Sequence, residues 1–252
     1  MEATQMGHLS GVTSAQVARV LLCLSLAVSG GGCAVSALSS ARTLKAGETQ
    51  FMVAPSMMRI SRGGAPVNLP FVEVATRHGF TDRVEGEARL SAFGLNASAR
   101  VALARPVTPT DGVSVSAGVG VGYIGGFSGT ATGSGDELHV FNANLPVLVG
   151  WWPHPKVELV AGPRLMYMAW TGDGSQTTSA HILSAGGTVG VGVQVTERLR
   201  IQPEIGFAVP VVRSLEGLGT SAGFGGGATW QFAVGFLIGK RPRVTSSKQS
   251  CP

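Results

Sequence analysis

The stretch 71–93, FVEVATRHGFTDRVEGEARLSAF, leaves this chain few ways to fold. On both sides of a short break at 79–82, residue character alternates with period two. Glu73, Arg77, Glu85, Glu87, Arg89 and Ser91 hold the odd positions, and Val72, Val74, Thr76, Val84, Gly86, Ala88, Leu90 and Ala92 the even ones. Successive strand side chains point to opposite sides, so the hairpin has one charged face and one apolar face. Like charges set directly opposite each other are destabilising. The register that avoids them sets Arg77 against Glu85 and Glu73 against Arg89, around a three-residue turn at Phe80, Thr81 and Asp82.

The same alternation predicts ten strands, at 48–60, 69–78, 83–93, 96–104, 113–124, 138–152, 157–170, 181–195, 199–212 and 226–239. Their connections alternate as well. Those at 80–82, 153–156 and 196–198 are tight, with 105–112 the longest of that set. Those at 61–68, 125–137, 171–180 and 213–225 are longer and rich in Gly, Ser and Thr, while the link at 94–95 breaks the rule. Short periplasmic turns and longer external loops are the habit of transmembrane β-barrels. The expected fold is therefore all-β, a single antiparallel transmembrane barrel of about ten strands with both termini periplasmic.

Alternation does not say which face is outside. A soluble lipid-binding barrel, anchored as a lipoprotein, would turn its apolar face inward, and soluble exteriors are usually rich in charge including Lys. Here 15 of the 19 basic residues are Arg, and Lys45, Lys156, Lys240 and Lys248 all lie outside the predicted strands. Placing the mid-strand Arg77, Arg89, Arg100, Arg164 and Arg200 in lipid would cost roughly 2–4 kcal/mol each near the midplane. Their sum would rival a typical domain's stability of about 5–15 kcal/mol. The charged face is expected inside. Tyr123, Trp151, Trp152, Trp170 and Trp230 lie towards strand ends, where membrane-interface aromatics belong. Arg interleaved with Glu, with no basic stripe, argues against a nucleic-acid partner.

Residues 1–32 read as a signal peptide: Arg19, then the apolar run 20–28, then SGGGC ending at Cys33. A largely apolar run of nine residues suits a signal core and is too short to span a bilayer. Acylation of Cys33 is the favoured processing, with ordinary cleavage after Ala34, Val35 and Ser36 as the alternative. Residues 33–47 then form a periplasmic tether, 48–239 the barrel and 240–252 a C-terminal tail. Without a CxxC or Cys/His cluster, no metal and no cofactor is expected.

SGGGC with ARTLKAGETQF after it, PFVEVATRHGFTDRVEGEARL and NLPVLVGWWPHPKVELVAGPRL resemble bacterial outer-membrane β-barrel proteins, in particular small barrels with a lipoprotein-type signal sequence. The resemblance covers nearly all of 33–239. It implies the bacterial outer membrane as location and outer-membrane lipids and the barrel-assembly machinery as partners. A porin-like path for a small-molecule solute is one role it allows. The chain departs from the pattern at Gly30, where such signals place Leu, and at its end, where 240–252 follow the last strand instead of a terminal aromatic.

For chemistry, His139 and His181 stand near Ser179, Ser184, Asp136 and Glu137, which makes an outer-leaflet lipid-modifying enzyme one alternative. Solvated histidines at loop edges are the simpler reading, since no motif brings base and nucleophile into hydrogen-bond reach. A non-enzymatic barrel, structural or docking or a narrow conduit, is expected first. Its lumen would hold Arg77, Arg89, Arg100, Arg164 and Arg200 against Glu73, Glu85, Glu87, Glu158 and Glu204, five charges balancing five. Gly118, Gly120, Gly122, Gly186, Gly190 and Gly192 leave room for long side chains. Eight-stranded rings are just filled by their side chains, so ten strands and paired charges predict a largely plugged barrel.

Overall fold

The computed structural model describes residues 38–62, 65–91, 94–105, 112–128, 137–173, 178–216 and 228–239. Ten antiparallel strands run in order: β1 (Thr49–Arg62), β2 (Ala65–Gly79), β3 (Val84–Ser91), β4 (Gly94–Ala104), β5 (Val113–Ser128), β6 (Glu137–His154), β7 (Val157–Asp173), β8 (Thr178–Gln194), β9 (Leu199–Glu216) and β10 (Thr229–Gly239). Each pairs with its sequence neighbours, and β1 pairs with β10, so the sheet closes on itself and has no free edge. All ten predicted strands are present. Most of them run a few residues further than the alternation alone indicates, towards the rim opposite the tight turns.

The two faces are oriented as expected. Val72 and Val74 are about half exposed on the outer wall, whereas Glu73 and Arg77 between and beside them are buried. Large apolar residues face outward on every strand, from Phe51 on β1 through Val119, Phe141, Leu165, Val189 and Phe207 to Phe236 on β10. A continuous apolar belt of this kind far exceeds what soluble monomers expose. It needs a hydrocarbon solvent, and in the closed ring every strand has a hydrogen-bonded neighbour on both sides, as a membrane-spanning sheet requires. The soluble-barrel alternative would need these faces reversed.

The tight connections at 80–83, 155–156 and 195–198 share one rim with the start of β1 and the end of β10. At that rim the first hairpin departs from the expected register. Arg77 faces Glu87 directly, Ala75 faces Arg89 and Glu73 faces Ser91, a shift of two residues from Arg77 against Glu85. The turn begins one residue later because Gly79 belongs to the ladder. Its N–H donates to the Glu48 carbonyl at 2.9 Å, and its own carbonyl accepts from Gly47 at 2.8 Å. Thr81 then caps the loop, its Oγ1 accepting from the N–H groups of Arg83 at 3.2 Å and Val84 at 3.0 Å. A Cβ on residue 79 would lie 2.1 Å from the Lys45 carbonyl oxygen, so only glycine fits there.

Residues 33–47, read from sequence as a periplasmic tether, behave differently from Leu38 onward. Residues 38–44 are buried inside the barrel. The chain leaves the lumen through Lys45 and Gly47, the latter in the left-handed region at φ 77°, and enters β1. Leu38 packs against Met52, Ala54, Ala75, Ala233 and Leu237, and Ala41 against Leu148 and Val160. Fully burying one leucine contributes roughly 1.5–3 kcal/mol. The lumen of the half bearing the tight turns therefore has an apolar floor made by a segment that is not part of the wall.

Candidate functional site: the plugged lumen

Inward positions on all ten strands supply either a charge or a side-chain hydrogen-bonding group, because the period-two pattern places polar residues there. Arg77 Nη2 lies 2.5 Å from Glu85 Oε1 and Arg77 Nε 3.8 Å from Glu87 Oε2. Arg100 also pairs with Glu85. Arg89 reaches Glu73 at 2.9 Å and Glu87 at 2.7 Å, and Arg200 reaches Glu158 at 2.6 Å. The partners expected for the hairpin, Arg77 with Glu85 and Arg89 with Glu73, do meet, but diagonally rather than straight across. Glu73 additionally accepts from Ser56 at 2.9 Å and from Gln231 at 2.8 Å, which ties β1, β2, β3 and β10 together.

The buried segment 38–44 is held by the same carboxylates. The Leu38 N–H donates to Glu204 at 2.8 Å, the Ala41 N–H to Glu158 at 3.1 Å and the Leu44 N–H to Glu85 at 2.7 Å. Ser40 Oγ adds a bond to Glu158 at 2.8 Å, and Arg100 donates to Ser39 Oγ at 3.0 Å. Hydrogen bonds to charged acceptors contribute about 1.5–3 kcal/mol each, and a buried backbone N–H left without one is costly. The segment is a plug with three of its backbone N–H groups bonded to carboxylates of the wall.

Trp152 belongs to this plug contact and not to a membrane interface. It is 3% exposed, and the guanidinium carbons of Arg42 and Arg200 lie 4.3 Å and 5.5 Å from its ring. Its neighbour Trp151 points outward, half exposed, as do Tyr123 and Trp230. Trp170 lies on β7 with its side chain outside the described residues, and Cys33 is outside them altogether. Arg42 also donates to Ser114 at 3.2 Å. Its interior position was not among the sequence expectations, and it makes six enclosed arginines where five were counted. The glycines do provide room: a Cβ on residue 192 would sit 1.8 Å from Arg200 Nη2, so the arginine lies flat over β8. They serve neighbouring strands, while the space across the lumen is taken by the plug.

Among the described residues, His139 and His181 each meet a tyrosine. His139 Nδ1 is 2.7 Å from the Tyr123 hydroxyl and His181 Nδ1 is 2.7 Å from the Tyr167 hydroxyl, each pair stacked with ring centroids 6.0 Å apart. His181 is exposed on the outer wall and Ser184 is buried in the lumen, so the wall separates them. Asp136 and the side chain of Glu137 lie outside the described residues.

Closed antiparallel wall, apolar belt and polar filled interior together define a membrane-spanning β-barrel. No family model matches the chain, and no curated protein matches it. Among solved structures it is similar to an outer-membrane channel from Pseudomonas putida F1, at 10% identity over 80% of this chain and 98% of the other, TM-score 0.43. It is similar also to the outer-membrane protease OmpT of Escherichia coli, at 9% identity over 79% and 100%, TM-score 0.42. Neisserial surface protein A aligns at 9% identity over 76% and 95%, TM-score 0.38. These likenesses are too distant to add to the reading from geometry.

Proposed function

We propose that the chain is a non-enzymatic integral β-barrel of the bacterial outer membrane, shut in its resting form by its own residues 38–44, with a structural or docking role. The supporting observation is the set of three backbone N–H groups, Leu38, Ala41 and Leu44, each bonded to a different lumen carboxylate. A wall that spends three buried glutamates on one segment is built to hold it. The rim with the tight turns is the periplasmic one in this reading, and Cys33 is acylated there. Cys33 stands five residues before Leu38, which allows at most about 18 Å of extended chain.

A narrow conduit is the second reading, and one feature favours it. The bonds to Glu204, Glu158 and Glu85 run from the plug to side chains, so withdrawing it breaks no rung of the β-ladder. Planar-bilayer recording separates the two. The wild type is expected to be silent, and a variant lacking residues 38–44 to give stepwise conductance while keeping the heat-modifiable mobility of a folded barrel. Steady conductance in the wild type, equal to that of the deletion, would remove the plug from the account. Silence of a folded deletion variant would leave only the structural role.

A further inference from the structure

Just beyond the plug, towards the middle of the barrel, a cavity of about 50 Å³ lies between β3, β4, β6 and β7. Arg89, Arg100 and Arg164 line it, with Asn96, Asn144 and the plug's Ser39. Glu85 and Glu87 also border it, but both are engaged by Arg77, Arg89 or Arg100. Arg164 differs from the other two arginines. It is 5% exposed, its Nε has no hydrogen-bond partner, and the structure gives it no ion pair among the described residues.

The sequence around it explains why. Across the sheet, Arg164 stands opposite Pro146 on β6 and Gly186 on β8, and along its own strand the inward neighbours are Gly162 and Met166. None of the four carries a side chain able to accept a strong hydrogen bond. Charge counting points the same way. Arg42 raises the enclosed arginines to six, against Glu73, Glu85, Glu87, Glu158 and Glu204, so the described interior carries a surplus of 6 − 5 = 1 positive charge. Glu204, Glu73 and Glu87 act on Arg164 through space, but none is in contact with it, and a guanidinium cannot shed its proton to escape burial, so a counter-charge placed directly against it is favourable.

We propose that this cavity binds a small monovalent anion of the size class of chloride, with Arg164 supplying the charge and neutral donors such as Asn144 completing the shell. Its volume of about 50 Å³ is enough for a halide or a few waters. Because Ser39 lines the same space, the anion sits between wall and plug and stabilises the closed form.

The test uses folded full-length protein in detergent, unfolded thermally in sodium bromide and in sodium gluconate at equal ionic strength. Gluconate is too large for the cavity. Bromide is expected to raise Tm by a few degrees in a saturable way, and Arg164→Met is expected to abolish that dependence. In gluconate Arg164→Met should melt no lower than the wild type, because it removes a buried charge that no ion pair holds. A purely structural Arg164 would instead lose stability equally in both salts. Equal wild-type Tm in bromide and gluconate, or an unchanged bromide effect in Arg164→Met, overturns the site. Should the variant not fold, anomalous scattering from bromide in wild-type crystals decides: a peak beside Arg164 supports the site, and its absence there ends it.

Discussion

At the scale of single residues, the lumen works by matching bulky groups to positions without side chains. Gly162 and Gly192 look alike in sequence and differ in consequence. A Cβ on residue 192 meets the mobile end of Arg200, whereas one on residue 162 would lie 1.8 Å from the Val147 carbonyl oxygen, which is backbone. Gly192→Ala is therefore expected to keep the barrel and disturb the Arg200–Glu158 pair. Gly162→Ala must part β6 from β7, which exceeds ordinary overpacking of about 1–3 kcal/mol. The midpoint of the heat-modifiable gel shift should fall much further for Gly162→Ala than for Gly192→Ala. Equal midpoints would show that the β6–β7 contact is looser than described. Trp152 carries a related lesson. Strand parity sets it opposite the outward Trp151, so parity, and not nearness to a strand end, decides which of the two faces the membrane.

At the scale of elements, strand number, order and facing were legible because the period-two signal is local and repeats ten times. Two things were not. The hairpin register depends on which residue opens the turn, and that is decided by Gly79 bonding back to Gly47 and Glu48, a contact with another strand. The plug has no periodicity to read, since 38–44 is a mix of small, polar and apolar residues held by side chains over a hundred positions away. The equal count of lumen charges hinted at a filled barrel without saying what fills it. The register is open to direct measurement. Phe80 and Val84 form a hydrogen-bonded pair at 2.9 Å, so Arg77 and Glu87, three steps on, form a non-hydrogen-bonded one, whose Cα atoms approach to about 4.5 Å. NMR of the protein in micelles is expected to show a cross-strand Hα–Hα contact between Arg77 and Glu87. Finding it between Arg77 and Glu85 instead would restore the register that charge opposition alone suggests.

At the scale of the whole molecule, the asymmetry of the two rims bears on how the barrel sits in the membrane. One rim carries the described tight turns, the start of β1, the end of β10 and the entrance of the plug. In the proposed outer-membrane setting these turns are periplasmic, as is usual for such barrels. The plug adds a reason of its own. Residues 38–44 continue directly into β1 through Lys45 and Gly47, so whichever compartment holds that rim also holds the handle by which the plug could be drawn. Placing it in the periplasm lets a periplasmic partner, or an acylated Cys33, act on the closed state without crossing the membrane. Short epitopes inserted at Gly133 and Gly174, both in connections at the opposite rim, are therefore expected to be reached by antibody on intact cells. One at His154, beside the tight turn 155–156, should be reached only after the outer membrane is permeabilised. Surface labelling at His154, with Gly133 and Gly174 silent, would invert the barrel and put the plug's entrance outside the cell.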